Sequence, residues 1–586
     1  MRIVIHREIP EDPTFSRRWN ELVGEMEQPQ VFYTYEWALA VDRAYHESLN
    51  PLLILVFDEE ELVGLAALGT DPIRPTAFFL TSTTADYCDF ISGADRRGEV
   101  LDAVVCELRR QDIRTLVLAN LPADSVTLGA LRRVAGPRGY GTFARHAYFC
   151  SQIRLGAGDT RVQLKQGVTK RKHLRYYIRA MEKRGPVKVE NLKSWENIEP
   201  VLPRFAQAHV ARFLATDRIS SLARAERRRF LLELARLLSG LDSVIVSRLM
   251  VGDEAVAWNF GFQFRGSWFW YQPTFDSRWE KLSPGFCLLS KTVEAACDSP
   301  EMQLIDLGLG AEGYKERFAT GRRQTLQVTA TISTPLLVKE VLRYHAATTI
   351  RLAPKLERWV RTLRENVTAN RKRLREEGLI ALMRSLLTRA KRVAYSREEF
   401  RFFQWNGSTS DRDRTQTGSL PLHALDFDLL ALAAMRYVDD PPTLNYLLRA
   451  ADRLRSTEWG GFAVLDGDGV PVQFCWTAEF EGFTMPEADH QLHAPSPNSA
   501  ILFDWWNASS MNDRSGCAIA LRMLAQQLHA SGRSAWTYIT AHGEFACPEL
   551  ESVGFVQKFS LLYQLAPFRR VLIEAPPQSK REGDVS

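Results

Sequence analysis

The stretch from Ser267 to Phe318 reads SWFWYQPTFDSRWEKLSPGFCLLSKTVEAACDSPEMQLIDLGLGAEGYKERF. Its first part, Trp268–Phe275, is aromatic and predicts a β-strand. The tripeptide Ser-Pro-Gly at 283–285 then opens a segment with apolar residues at helical spacing. This predicts a helix with serine as its cap and proline in its first turn. A second strand is predicted at Met302–Leu307, so the stretch forms a strand–helix–strand unit.

The start of the predicted helix is suited to bind an anion. Backbone N–H groups without helical partners and the positive end of the helix dipole favour a phosphate there. A glycine also allows a ligand to approach the backbone closely. We therefore expect a phosphate-bearing cofactor at Leu282, Ser283, Gly285 and Phe286. An ordinary capped helix is the alternative, because Ser-Pro-Gly is a common way to begin a helix.

Candidate catalytic groups follow or end the two strands. Asp276 follows the first strand, Asp306 lies in the second, and Tyr314 and Lys315 come shortly after it. We predict that the tyrosine donates a proton, that the aspartates act as a base or orient the substrate, and that the lysine pairs with a carboxylate or phosphate. Capping, turn formation and packing are the alternatives. Tyr271 is predicted to line the same groove, although aromatic residues in strands are more often core.

The composition is that of a globular protein with several domains. The chain has 586 residues, 45% of them hydrophobic and 25% charged, and this length predicts three or four domains. Eight scattered cysteines form no C-x-x-C pair, which favours reduced thiols and gives no indication of zinc. The first residues lack the pattern of a secretory signal, and no segment is apolar enough to span a membrane. We therefore expect a cytoplasmic protein.

Positive charge is concentrated in two places. Residues 339–401 hold 17 Lys and Arg against 7 Asp and Glu. A solvated helical face is the plain interpretation, and contact with an acidic membrane surface or a polysaccharide synthase is the sharper one. Nucleic acid is not favoured, because no aromatic–basic pattern accompanies the charge. The second cluster, which includes Lys170, Arg171 and Arg175, is predicted to bind an anionic group of the substrate.

Three stretches share the pattern of a β-hairpin. Residues 52–69, 244–264 and 461–480 each read as two apolar strands joined by a turn of Asp, Glu or Gly. The stretches are spaced at about the length of a domain rather than at a short repeat period. The pattern therefore predicts three copies of one type of domain.

Residues 1–335 resemble the tandem acetyltransferase-like proteins of the CelD (BioF2-like) type, which are distant relatives of the Fem-type aminoacyltransferases. The resemblance is carried by WYQPTFDSRWEKLSPGFCLL, by IDLGLGAEGYKERF, by the basic KRKHLRYYIRAMEKRG and by TADYCDF at 84–90. It implies an α/β fold with mixed, mostly antiparallel sheets flanked by helices, and an acyl-CoA-dependent activity. The first copy has no glycine-containing turn between strand and helix, so we expect it to shape the acceptor groove without binding a cofactor.

Residues 400–567 resemble a single GNAT (Gcn5-related) acetyltransferase domain. Arg514, Ser515, Gly516 and Ala518 stand where that family has its pyrophosphate-binding loop, which implies a second cofactor site. A helix start with a tolerated glycine is the alternative. Leu550 stands where the family has a tyrosine acid. This copy is therefore expected to bind an acyl carrier, to use another acid or to be inactive.

These patterns divide the chain into five parts. They are a degenerate GNAT-like domain at 1–155, a CelD-type acetyltransferase domain at 156–335, a basic helical linker at 336–399, a C-terminal GNAT-like domain at 400–570 and a disordered tail at 571–586.

The resemblance implies transfer of an acyl group from acetyl-CoA or another acyl-CoA to an amino or hydroxyl group, without a metal. The implied acceptor is a sugar or sugar-lipid precursor of a cell-surface polysaccharide or envelope polymer. Two alternatives remain: a Fem-type transferase of peptidoglycan precursors, which would bind aminoacyl-tRNA, and a non-catalytic scaffold of a polysaccharide synthase. A metal site around Glu487 and His490 is not favoured, because the ligand set is not closed.

Overall fold

The strand–helix–strand unit predicted from the sequence is present. In the computed structural model, strand Ser267–Phe275 is followed by helix Pro284–Asp298 and strand Leu304–Leu309. The structure describes residues 1–310, 313–351, 396–407, 422–456, 458–486, 490–508, 515–540, 547–566 and 569–575. The chain divides into unit 1, which is Met1–Arg212 with Ser220–Leu352, and unit 2, which is Phe213–Ile219 with Ala353–Ser586.

Unit 1 contains one sheet of twelve strands. In chain order these are β1 Arg2–His6, β2 Asn50–Asp58, β3 Glu61–Thr70, β4 Thr76–Phe79, β5 Thr115–Pro122, β6 Gly141–Arg154, β7 Val187–Leu192, β8 Val244–Val251, β9 Glu254–Phe264, β10 Ser267–Phe275, β11 Leu304–Leu309 and β12 Gly321–Thr331. Their order in the sheet is β1-β2-β3-β4-β5-β12-β6-β11-β10-β9-β8-β7. The pairs β4/β5 and β10/β11 are parallel, and the other neighbours are antiparallel.

Helices connect these strands. They are α1 Pro13–Gly24, α2 Tyr35–Tyr45, α3 Arg97–Arg110, α4 Thr127–Ala135, α5 Gly158–Thr169, α6 Lys172–Glu182, α7 Trp195–Ile198, α8 Leu202–Leu214, α9 Ala225–Ser239, α10 Pro284–Asp298, α11 Gly313–Glu316 and α12 Thr334–Arg351. None of the helices within the described residues is both long enough and apolar enough to cross a membrane.

Two long strands join the halves of unit 1. Strand β6 lies before the predicted boundary at 155, yet it pairs with β11 and β12, while β12 also pairs with β5. Residues on both sides of the boundary therefore belong to one continuous sheet. The division at 155 stays a prediction about domains and does not separate two sheets.

Unit 2 contains a second mixed sheet. Its strands are β13 Ser396–Trp405, β14 Leu422–Ala424, β15 Trp459–Leu465, β16 Pro471–Glu479, β19 Ser499–Asn507, β20 Ser534–Thr540, β21 Phe555–Ala566 and β22 Arg569–Ala575, and a separate ribbon is formed by β17 Thr484–Met485 and β18 His490–Gln491. The order is β14-β15-β16-β19-β20-β13-β21-β22. The helices are α13 Phe427–Arg436, α14 Pro441–Arg455, α15 Ser515–Ala530 and α16 Cys547–Ser552. The expected fold class, mixed and mostly antiparallel sheets with flanking helices, is confirmed.

One arrangement recurs three times, as the three predicted hairpins suggested. Hairpins β2/β3, β8/β9 and β15/β16 are all present. Each is followed along the chain by a parallel pair of strands joined through a helix: β4/β5 through α3, β10/β11 through α10, and β19/β20 through α15. Along the chain, each helix therefore lies between the two strands of its parallel pair.

Two of the predicted boundary segments differ from the structure or lie outside it. Most of the basic linker at 336–399 lies outside the described residues, except for α12 and the first residues of β13. The tail was expected to begin at 571, but β22 pairs with β21 as far as Ala575. That start is wrong because the backbone of this segment is hydrogen-bonded in the sheet; residues 576–586 lie outside the described residues.

The core of the second half of unit 1 holds α10 against the sheet. The apolar face of α10 is buried together with Trp268 and Trp270 of β10 and with Ile305 and Leu307 of β11. Burial of such aromatic and branched side chains contributes about 1.5–3 kcal/mol each. This packing fixes the start of α10 relative to the two parallel strands.

The first residue of α3, in the first half, is a buried cation. Arg97 is 1% exposed, and its Nε donates to Ser92 Oγ at 2.7 Å. Its Nη1 donates to Asp89 Oδ1 at 3.1 Å and to Thr127 Oγ1 at 2.6 Å. The buried polar side chains around Arg97 are therefore already paired with each other. That gives a physical basis to the expectation that the first half binds no cofactor, which stays a prediction.

We expect Arg97→Ala to destabilise the protein by about 3–5 kcal/mol, because it leaves Asp89 buried without its cation. Arg96→Ala is the matched control: its partners Asp58 and Glu99 lie at the surface, so stability should change little. Urea unfolding followed by tryptophan fluorescence measures both. Equal effects of the two substitutions would contradict the buried role of Arg97.

Candidate active site

The first turn of α10 has an unusual start. Ser283 has a left-handed backbone conformation, with φ 47° and ψ 52°, and its side chain makes no capping hydrogen bond. Ser283 is thus the cap residue and Pro284 the first residue of the helix, as predicted, but the serine hydroxyl does not bond to the first-turn N–H groups. The N–H groups of Gly285 and Phe286 lie in the first turn, where a helix offers them no carbonyl partner. They remain available to a ligand.

Gly285 keeps this helix start open. A Cβ atom at this position would lie 3.4 Å from Cδ1 of Phe275, the last residue of β10. That is ordinary contact, so alanine would fit, whereas a larger side chain would fill the space beside the N–H groups. Leu282 and Phe286 flank the turn and pack against the core.

An arginine from the predicted basic cluster lies at the same place. The Phe286 and Phe318 rings pack with centroids 4.9 Å apart, and the Arg171 guanidinium lies 4.5 Å from the Phe318 ring centroid. Arg171 Nη2 also donates to the carbonyl of Arg317 at 2.7 Å. Burial, and then the positive charge of Arg317, lower the pKa of Arg171. Two cations and a helix start thus make this corner electropositive.

The other two members of the cluster extend from this corner. Lys170 is exposed and donates to Gln166 Oε1 at 3.0 Å, and Arg175 is exposed and donates to the carbonyl of Lys170 at 3.2 Å. The structure therefore brings Arg171 to the start of α10, the predicted cofactor corner, whereas Lys170 and Arg175 donate to residues of their own segment. It does not bring these residues to the cavity described next.

Strands β10 and β11 separate beside this corner. They pair in parallel only from Ser267 with Leu304 to Phe269 with Asp306. The register of β10 against β9 then shifts between Phe269 and Gln272, and that of β11 against β6 shifts after Asp306. Gly308 has φ +71°, and a Cβ there would lie 2.7 Å from Asp86 Oδ2. Glycine is therefore required both for the turn and for the close approach of Asp86.

A cavity of about 510 Å³ lies where the two strands have separated. Its wall includes Tyr271 and Gln272 of β10, Leu309 of β11, Asp86 from the loop after β4, and Arg227 of α9. Both halves of unit 1 thus contribute to one cavity, and both parallel strands reach it.

Asp86 is the titratable group suited to proton transfer in this cavity. Its side chain is partly accessible from the cavity but surrounded by protein. Burial, and then the charge of Asp306, raise the pKa of Asp86 to about 7, against the opposing effects of Lys315, Arg227 and the Leu309 N–H group. A carboxyl group with this pKa can accept a proton near neutral pH.

Tyr271 and Arg227 lie together on the cavity wall. Arg227 Nη2 donates to the Tyr271 hydroxyl at 2.7 Å, and that hydroxyl donates to the carbonyl of Thr84. Burial raises the pKa of Tyr271. The prediction placed Tyr271 in a groove, and the structure places it on this wall. Its hydroxyl is engaged as both donor and acceptor.

The two predicted catalytic aspartates are held by other protein groups. Asp276 is buried and accepts hydrogen bonds from Arg278 and Arg204; burial opposes ionisation, but Arg278 and then Arg204 bring the pKa of Asp276 below its ordinary value. Asp306 is also buried and accepts from Tyr87 at 2.7 Å and from Gln152 at 2.8 Å. Its carboxyl group borders a second cavity, of about 670 Å³.

Lys315 lies close to the cavity residue Asp86, whereas Tyr314 packs against the hydrophobic core. The Lys315 ammonium is buried and donates to the carbonyl of Leu309 at 2.9 Å, and its charge acts on Asp86. Tyr314 is half-buried against the hydrophobic core of the second half. The catalytic roles predicted for both residues stay predictions.

The predicted site in unit 2 is only partly within the described residues. Arg514 lies outside them, and Ser515, Gly516 and Ala518 form the first turn of α15. Leu550 is buried in the core of unit 2. Because leucine has no ionisable group, it supplies no acid here.

The candidate metal ligands in unit 2, which the sequence did not favour, lie only partly within the described residues. Residues 487–489 lie outside the described residues, and His493 lies 3.0 Å from a Glu481 carboxylate oxygen. Within the described parts of the chain, no three His, Cys, Asp or Glu side chains group together in a way that could hold a metal ion.

Sequence reasoning missed Asp86 and Arg227, two charged residues of the cavity wall. Asp86 lies in TADYCDF, a segment that carried the family resemblance but no assigned role. Arg227 lies in RAERRRF, where neighbouring arginines have the same appearance in the sequence. The resemblance carried by TADYCDF could have identified Asp86, whereas nothing in the sequence distinguished Arg227 from its neighbouring arginines.

A comparison with known families agrees with this geometry. Residues 169–316 match the family model described as an acetyltransferase (GNAT) domain. This segment includes α10, β10, β11 and Arg227. The chain therefore contains a GNAT-type acyltransferase domain. The narrower CelD-type resemblance stays a prediction.

Several solved structures are similar at low identity. FemX is 10% identical with a TM-score of 0.40, covering 58% of this chain and 100% of its own. L-PGS from Bacillus licheniformis is 10% identical with a TM-score of 0.35, covering 57% and 96%. A tandem GNAT protein from the clavulanic acid biosynthesis pathway is 13% identical with a TM-score of 0.34, covering 57% and 99%. At these scores the similarities support no argument about function. The chain matches no curated protein sequence.

We expect Asp86→Asn to stabilise the protein at pH 8 but not at pH 4. The pKa of Asp86 rises on folding from an ordinary value of 3.8 to about 7, so ionisation costs stability as the pH rises through that interval. The difference between parent and variant should reach at most about 4 kcal/mol, because solvent in the cavity screens the charge. Thermal unfolding from pH 4 to pH 8 measures it. A difference independent of pH would contradict the raised pKa.

Proposed function

We propose that unit 1 transfers an acyl group from acyl-CoA to an amino or hydroxyl group held in the 510 Å³ cavity. The observation that carries the proposal is that β10 and β11 stop pairing after Phe269 and Asp306. Beyond that point both strands line the cavity, and the last residue of β10, Phe275, lies beside Gly285 at the start of α10. A cofactor diphosphate at α10 would allow its thioester to enter between the strands. The acceptor would approach from the cavity.

The start of α10 is chemically suited to the cofactor. The N–H groups of Gly285 and Phe286, next to Leu282 and Ser283, would bind diphosphate oxygens, as helix starts commonly do. Arg171 lies beside them and would add a cation that binds phosphate through a planar fork of donors. Lys170 and Arg175, exposed in the same segment as Arg171, would meet the outer phosphate of the cofactor.

Asp86 would act as the general base. Acyl-CoA supplies the activated acyl group as a thioester. The acceptor nitrogen or oxygen forms a bond to the acyl carbon while the carbon–sulfur bond breaks. The proton of the acceptor passes to Asp86 and then to solvent, and the departing thiolate takes up a proton from solvent. A base with a pKa near neutrality is suited to this step.

The acceptor class comes from the resemblance stated above. We propose a sugar or sugar-lipid precursor of a cell-surface polysaccharide or envelope polymer, and a protein that works in the cytoplasm. Contact with a membrane or a polysaccharide synthase through residues 339–401 belongs to the same proposal, and most of that segment lies outside the described residues. Unit 2 would be a second cofactor-binding or accessory unit.

Acetyl-CoA should stabilise the parent protein against heat by about 2.7 kcal/mol at 100 times its dissociation constant. Gly285→Trp should abolish this stabilisation, because the indole fills the space beside the helix start. Gly98→Trp is the matched control: Gly98 is also the second residue of its helix, α3, in the first half. A Cβ there has nothing within 4 Å. The measurement is the shift in thermal midpoint.

The possible results of this experiment distinguish between the candidate functions and between the two candidate cofactor sites. Stabilisation that survives in Gly285→Trp but is lost in Gly516→Trp would move the active site to unit 2. No stabilisation of the parent would contradict the proposal and favour a scaffold. Stabilisation by aminoacyl-tRNA and not by acetyl-CoA would favour the Fem-type activity, with a strong dependence on salt.

Asp86→Asn should lower kcat for acetyl transfer by about 10²–10⁴-fold, because it removes the base. In the parent, kcat should fall as the pH drops below about 7, where Asp86 becomes protonated. Glu226→Gln changes another carboxylate that lines the same cavity and is exposed, so it is the control. Release of the CoA thiol measures both. Loss of the acidic limb in Glu226→Gln, and not in Asp86→Asn, would assign the base to Glu226.

A further inference from the structure

The Arg227 guanidinium is buried with two nitrogen atoms unsatisfied. Its side chain is 8% exposed and lies on the wall of the cavity. Nη2 donates to the Tyr271 hydroxyl at 2.7 Å, but Nε and Nη1 have no hydrogen-bond partner among the described residues. A buried donor without an acceptor costs about 1–3 kcal/mol, and more when the group is charged. The arrangement is therefore incomplete as it stands.

The neighbouring groups do not complete it. None of the ion pairs among the described residues includes Arg227. Its polar neighbours are the hydroxyls of Tyr271 and Tyr45, and the rings of Phe230 and Tyr271 lie 5.0 and 5.7 Å from the guanidinium carbon. Aromatic faces attract a cation but accept no strong hydrogen bond from its N–H groups. Asp86 faces the same cavity and acts on Arg227 only through space.

We propose that Arg227 binds an anionic group of the acceptor, a carboxylate or a phosphate, through Nε and Nη1. Adjacent guanidinium N–H groups form a planar fork that matches two oxygens of such an anion. Binding would supply both the missing acceptors and the missing countercharge. This inference rests on the proposed function, since the cavity is the acceptor site of that proposal.

Asp86 and Arg227 together narrow the chemical class of the acceptor. Asp86 lies on one part of the wall and takes a proton from the nucleophile, and Arg227 lies on another and binds the anion. The acceptor is therefore a small molecule, or the head of a larger one, that carries both a nucleophilic amine or hydroxyl and an anionic group. A neutral sugar would leave the guanidinium unsatisfied.

A purely structural arginine would behave differently. Packing of Arg227 against Phe230 and Tyr271 would stabilise the fold whether or not an anion is present. The distinguishing property is therefore dependence on an added anion. Arg227→Gln removes the charge, Arg227→Lys keeps the charge without the fork, and Arg229→Gln makes the same change in charge at an exposed position of the same helix.

The first experiment uses inorganic phosphate and acetate as probes, with chloride at matched ionic strength. One of the two anions should raise the thermal midpoint of the parent and of Arg229→Gln in a saturable way, and Arg227→Gln should remove that rise. A response to phosphate indicates a phosphorylated acceptor, and a response to acetate indicates a carboxylated one. If Arg227→Gln does not fold, Arg227→Lys decides, with a response weakened at least several-fold. An equal response in the parent and the Arg227 variants, or no response in the parent, would overturn the inference.

The second experiment compares acceptors that differ only in the anion. With acetyl-CoA, glucosamine 6-phosphate is compared with glucosamine, and β-alanine with its amide. The anionic member should have a kcat/KM at least 10-fold higher, and Arg227→Gln should lower it about 100-fold while changing the neutral member less than 3-fold. Equal loss for both members would indicate a structural role. Thermal stabilisation by acetyl-CoA without any effect of Arg227 on anions would overturn this inference alone and leave the proposed function intact.

Discussion

The candidate site depends on how the separated ends of β10 and β11 satisfy their backbone hydrogen bonds. Where two strands part, each backbone N–H and carbonyl group loses a partner and must find another. Here side chains replace the missing strand. Asp306 accepts from the N–H of Gly308, and Lys315 donates to the carbonyl of Leu309. The N–H of Leu309 also favours the charged form of Asp86. The opening between the strands is thus held by charged groups.

This replacement concentrates charge in a poorly solvated place. Two carboxyl groups, Asp86 and Asp306, lie near each other with Lys315 and Arg227 as the neighbouring cations. Burial and mutual repulsion make a second negative charge unfavourable, so the pKa of Asp86 rises. A feature that completes the backbone of the sheet therefore also produces a group able to exchange a proton near neutral pH.

The two halves of unit 1 contribute different parts. The first half supplies Asp86 from the loop after β4, while Arg97 at the start of α3 is paired with buried polar groups of its own half. The second half supplies the open start of α10, the separated strands and Arg227. Strands β6 and β12 cross between the halves and hold them in one sheet. Neither half contains the whole candidate site.

The sequence by itself determined the strand–helix–strand unit, the three hairpins and the open turn at Gly285, because these depend on residues close together in the chain. It also placed Arg171 among candidate anion-binding residues, from its local charge. Tertiary structure alone decided that β6 and β12 join the halves. It also decided that Asp276 accepts hydrogen bonds from arginines, while Asp86 and Arg227 face the cavity. These outcomes depend on burial and on charges from other segments of the chain. Arg204 lies 72 residues from Asp276, and Asp86 and Arg227 lie more than a hundred residues apart, so no local pattern records them.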